Sequence, residues 1–78
     1  MSDLDLFYGE VIFFSPKAGY GFISWEKNGI KQKDMFVHYS DINVNGFKTL
    51  FKSQKVSFNV GENKRNQPKA INVTVLNN

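Results

Sequence analysis

Tyr20, Phe22, Phe36 and His38 are the side chains of this sequence whose types and spacing could do chemistry, and that chemistry is stacking. They lie in two stretches, Lys17-Ala18-Gly19-Tyr20-Gly21-Phe22-Ile23 and Asp34-Met35-Phe36-Val37-His38-Tyr39. Both stretches read as strands, and alternate side chains of a strand point to opposite faces. Tyr20 then shares a face with Phe22, and Phe36 with His38. The other faces carry Gly21 with Ile23 and Met35 with Val37, which is what a core takes. Planar rings on an open sheet, with lysines around them, are what unpaired nucleobases stack on. Gly19 and Gly21 flank Tyr20. Without Cβ atoms they are expected to keep the sheet beside that ring open to a ligand.

The competing reading of any single ring is core packing, because buried aromatics are commoner than binding ones. That reading is kept for Phe7, Phe14 and Phe58. For Tyr20, Phe22 and Phe36 strand parity overrides it, since burying them would expose Ile23, Met35 and Val37. Parity leaves Phe13 and Phe47 undecided. Trp25 is a candidate for stacking too, but it stands at a strand end, where covering the barrel rim has at least an equal claim. Lys31 and Lys33, within the polar run 27–33, form a path for a phosphate backbone only if they border the rings; Lys17 and Lys48 are the other candidates. With one histidine and no cysteine, a metal site is not expected. No nucleophile motif or acid pair suggests an enzyme, and no cofactor is called for.

These stretches need a scaffold, and 78 residues allow one domain. Residues 1–6 are expected to be a loose acidic lead-in and 77–78 a frayed tail. The 41% hydrophobic content supports one thin core, and the net charge of +3 is mild for a partner of nucleic acid. The absence of cysteine suits a reducing compartment, no apolar run could span a bilayer, and the N-terminus lacks a signal-peptide layout, so a cytoplasmic protein is expected. Strands are expected over 7–14, 20–25, 34–38, 54–60 and 69–76, rich in β-branched and aromatic residues. The first does not alternate cleanly, because Val11, Ile12, Phe13 and Phe14 are all apolar. In the last two, Val56, Phe58 and Val60 should share a face, as should Ile71, Val73 and Val75. Residues 26–33 read as a loop, 39–42 as a short helical turn, and 43–53 as a long connection. Five short strands avoid exposed edges by closing. The expected fold is all-β, a five-stranded antiparallel Greek-key barrel of the OB type, with an SH3-like barrel as the alternative.

Gly19-Tyr20-Gly21-Phe22-Ile23 resembles the first ribonucleoprotein motif of cold-shock domains, and Asp34-Met35-Phe36-Val37-His38-Tyr39-Ser40 resembles the second. Gly46-Phe47-Lys48-Thr49-Leu50, Gln54-Lys55-Val56-Ser57-Phe58 and Asn72-Val73-Thr74 are similar to later landmarks of the bacterial family. The similarity runs from about Gly9 to Thr74. It implies an OB-fold barrel that binds single-stranded RNA and DNA and melts RNA secondary structure. It also implies stacking by Phe13, Tyr20, Phe22, Phe36, His38, Tyr39 and Phe47, with Asp34 meeting a base edge or bracing its loop. The chain departs from the family pattern at Ile12-Phe13, where a lysine and a tryptophan are usual, and at Ala18, where a lysine is usual. The resulting expectation is a non-enzymatic RNA chaperone, a monomer with a strand-swapped dimer left open. The rival is a protein-interaction barrel that uses the same rings for a peptide or a second copy.

Overall fold

The computed structural model describes residues 5–44, 46 and 48–76. The expectations for the first four residues, for Phe47 and for the tail at 77–78 lie outside the described residues. Six strands form: β1 (Phe7–Ser15), β2 (Tyr20–Lys27), β3 (Ile30–Lys31), β4 (Met35–His38), β5 (Lys55–Glu62) and β6 (Pro68–Val75). Their order is β1-β5-β6-β4-β2-β3, and β1 pairs with β2 as well, so five strands close into a barrel of the OB type. β3 hangs outside the ring of strands on the end of β2. The pairings are antiparallel except at the seam between β4 and β6, which is parallel and rests on the register pair Val37↔Ala70. Among the described residues no helix is long and apolar enough to cross a membrane.

The core follows the alternation read from sequence. Ile23, Met35, Val37, Val56 and Phe58 are buried, and Phe7 and Phe14 pack against them half-buried. Trp25 continues the inward set of β2 and is 9% exposed. Its ring meets Phe7 at 5.0 Å and Phe58 at 5.5 Å, both edge to face. Val60 keeps inward parity but lies beyond the packed layers, lining a cleft at the barrel end with Phe7, Trp25 and Met35.

Two bulges correct the simple alternation. In β1, Val11 faces Ile23 and Phe13 faces Phe22, so Ile12 is the extra residue. The apolar run Val11–Phe14 is therefore read inward, outward, outward and half inward, which explains why it did not alternate. In β6, Asn72 takes the left-handed region at φ 52, a conformation asparagine tolerates better than most residues. Ala70 and Val73 are both buried as a result, and Ile71 turns outward over Gly61. Ile71, Val73 and Val75 thus do not share one face. The Asn72 amide is held by Asn59 Oδ1 at 3.1 Å.

The run 26–33 is more than a loop. Asn28 and Gly29 both have positive φ, at 55 and 79, and turn β2 back into β3. That is the geometry of a two-residue hairpin, for which Asn-Gly is a favoured pair. The helical turn expected at 39–42 is a single 3-10 turn, Tyr39–Asp41. The long connection after it is anchored by buried Leu50 and then returns along β1. There Ser53 N–H donates to the Val11 carbonyl at 2.7 Å, and Val11 N–H donates to the Gln54 carbonyl at 2.9 Å. These bonds grip β1 immediately before its bulge.

Candidate nucleic-acid interface

The bulge at Ile12 is what brings Phe13 to the other rings. Counting alternation from buried Val11 would place Phe13 inside. With one extra residue, Phe13 points outward and stands opposite Phe22 on β2. Phe13 is 47% exposed, Tyr20 is 38% exposed, and Phe22 and Phe36 are half-buried. Tyr20 lies 6.3 Å from Phe13, 6.2 Å from Phe22 and 5.7 Å from Phe36, ring centre to ring centre. Phe22 and Phe36 are direct partners across the β2–β4 ladder, at 6.0 Å. Mostly edge-to-face contacts of this kind fix the rings to one another while leaving faces free.

The glycines beside Tyr20 act differently from the expectation. Gly21 is buried, and a Cβ there would collide with the Phe13 carbonyl and come within 2.7 Å of Phe14 Cα. It allows β1 to approach β2 and does not open the sheet beside the Tyr20 ring. Gly19 adopts φ +83, and a Cβ there would lie 2.7 Å from the Tyr39 ring. Its carbonyl accepts the Tyr39 N–H at 2.9 Å. Gly19 is thus the seat of Tyr39, which is 47% exposed.

His38 pairs with Tyr20 across the ladder, and its ring lies 4.4 Å from that of Tyr39. Its Nδ1 accepts the Ser40 N–H at 3.3 Å and meets the Ser40 hydroxyl at 2.9 Å. A backbone N–H can only donate, so this bond assigns the neutral ring's proton to Nε2. The imidazole both caps the 3-10 turn and extends the ring surface from β4 towards Tyr39.

The charged candidates divide. Lys31 Nζ is bonded to Asp34 Oδ1 at 3.1 Å and to the Gln32 carbonyl, also at 3.1 Å. Asp34 therefore braces the approach to β4. Lys33 is exposed and lines a cleft with Phe22 and Phe36, and its carbonyl accepts the Trp25 indole N–H at 2.9 Å. Trp25 is thus an internal anchor for the segment entering β4. Lys48 lines a cleft with Pro16 and Tyr39 at the opposite end of the ring surface, and Lys17 is exposed in the β1–β2 turn. Lys27 sits apart, 5.9 Å over the Phe7 ring. The cleft beside Phe22 and Phe36 also holds Asn63 and Gln67, which sequence reasoning missed because 61–68 shows no periodicity. The available signal was an asparagine opening a loop that closes on a proline, a turn-forming pattern.

The closed barrel thus presents Phe13, Tyr20, Phe22 and Phe36 outward on three adjoining strands. Residues 7–76 match the family described as the 'Cold-shock' DNA-binding domain. The chain is 50% identical over 68 residues to the major cold shock protein of Streptococcus pyogenes serotype M18 (strain MGAS8232), covering 87% of this chain and 94% of that protein. It is 50% identical over 70 residues to a cold shock-like protein of Aquifex aeolicus (strain VF5), covering 90% and 94%. A cold shock-like protein of Thermotoga maritima is 44% identical over 68 residues, covering 87% and 96%. The chain belongs to the cold-shock domain family, which is a nucleic-acid-binding family and not a family of enzymes.

Proposed function

We propose that this protein binds single-stranded RNA and DNA by stacking unpaired bases on Phe13, Tyr20, Phe22 and Phe36, with His38 and Tyr39 continuing the surface. The observation that carries the reading is the solvent-facing ring cluster on β1, β2 and β4, whose neighbouring ring centres lie 5.7–6.3 Å apart. Rings of one cluster can take successive bases, and stacking accepts any base. Lys33 lines the cleft beside Phe22 and Phe36 and Lys48 the one beside Tyr39, and with exposed Lys17 they would meet phosphates. Each bound base leaves its pairing partner, so binding draws RNA towards the unpaired state by mass action without ATP. That is the action of an RNA chaperone. Phe47 belongs to the proposal on family resemblance alone.

A competition assay at one salt concentration tests the reading. Labelled oligo-dT should be displaced by unlabelled single strands and not by duplex of the same length. Equal competition by duplex would refute it. Displacement by neither, with no binding of the labelled strand, would leave the rings to a protein partner.

A further inference from the structure

Beside Phe22 and Phe36 the surface drops into a cleft of about 520 Å³. Lys33 and Asp34 line it from the approach to β4, and Asn63 and Gln67 line it from the β5–β6 connection. The two amides there have fixed orientations. Asn63 Oδ1 accepts the backbone N–H of Arg65 at 2.8 Å and that of Gln67 at 3.0 Å. Backbone N–H groups only donate, so that atom of Asn63 must be its oxygen. Asn63 Nδ2 is then a donor, and it donates to Gln67 Oε1 at 3.2 Å. With its oxygen engaged, Gln67 has its Nε2 group left to give. Its backbone is held as well, since the Gln67 carbonyl accepts the Asn63 N–H at 2.9 Å. The loop thus presents an oriented N–H donor at the margin of the ring surface.

We propose that Gln67 is a specificity-determining residue, whose Nε2 donates to a carbonyl oxygen of the base lying over Phe22 and Phe36. This rests on the single-strand reading above. Thymine and uracil carry a carbonyl oxygen, O4, where adenine carries an amino group. An amide donor meets an acceptor on the pyrimidine and another donor on adenine. The chain's choice of base at this place then comes from an exposed loop amide that Asn63 holds in position.

The test compares wild type with Gln67→Ala, binding labelled oligo-dT and oligo-dA at one salt concentration. Affinity of the variant for oligo-dT should fall about three- to tenfold, the range for one hydrogen bond. Affinity for oligo-dA should stay unchanged, so the ratio between the two narrows by that factor. Equal loss on both strands would make Gln67 a backbone contact, and no loss on either would make it a bystander; each result overturns the proposal. A second measurement covers a variant that folds poorly. In wild type, the Gln67 side-chain amide resonances should shift on adding oligo-dT and stay in place on adding oligo-dA. If backbone resonances of β2 and β4 move with oligo-dT while that amide does not, only the role of Gln67 fails. If wild type binds neither strand, the single-strand reading fails and the role of Gln67 falls with it.

Discussion

Phe22 and Phe36 face each other across the β2–β4 ladder with ring centres 6.0 Å apart, while Ile23 and Met35, the next pair along, are buried. One strand step thus separates the outward rings from the core, and mutations on the two sides should behave oppositely. Phe22→Ala and Phe36→Ala should each weaken oligo-dT binding by roughly ten- to a hundredfold, because a base–ring stack contributes about 1–3 kcal/mol. Their melting temperatures should fall little. Phe58→Ala empties a fully buried position and should cost about 3–5 kcal/mol of stability. Thermal melts and titrations on the same samples decide it. If the first two variants melt as early as Phe58→Ala, the rings are structural.

Gly21→Ala should damage the site without touching a ring. The new methyl would strike the Phe13 carbonyl and Phe14, forcing β1 away from β2. Overpacking of this kind costs about 1–3 kcal/mol. Phe13 would move relative to Phe22, so affinity for oligo-dT should fall together with the melting temperature. A variant that melts as wild type would show that the two strands need no such close approach.

Salt dependence should be shallow. Lys17, Lys33 and Lys48 make no ion pair among the described residues, whereas Lys31 is bonded to Asp34. Single-strand binding loses about 0.7 log units of affinity per log unit of salt for each neutralised phosphate, which puts the slope at about −2. Asp34→Asn removes the carboxylate that holds Lys31 and should steepen the slope by about 0.7. A wild-type slope steeper than about −4 would mean that lysines supply most of the affinity.

The parts of this molecule legible in sequence are those governed by strict period-two alternation. Tyr20 to Trp25 and Met35 to His38 have no irregularity, so parity alone sorted Ile23, Met35 and Val37 from Phe22 and Phe36. Legibility failed where one residue was added. Ile12 carries no mark of being the extra residue in β1, since its neighbours are apolar too, and so parity could not place Phe13. Asn72 did carry one, being an asparagine inside a β-branched run, and its left-handed φ is what split Ile71 from Val73. The role of Gly21 was misread because the sequence shows that a Cβ is missing but not which strand fills the space. Gln67 escaped notice because its orientation depends on bonds to Asn63 that have no periodic signature.

The seam between β4 and β6 gives the barrel an uneven resistance to opening. Elsewhere in the ring the strands are joined by antiparallel ladders of four or six residue pairs, but here the parallel pair Val37↔Ala70 is joined by the bridge Ile42↔Val73 and by the ion pair of Lys69 with Asp41 at 3.1 Å. Local opening costs least where the fewest bonds must break. Breathing of the closed sheet should therefore begin along this line, with the amides there exchanging with solvent sooner than those shared by β1 and β2. The cleft between Phe36 and Gln67 lies across the same line, with one wall on each side. A strand lodged in it would bridge the least secured joint of the barrel, so that holding a ligand and keeping the cylinder shut become a single event.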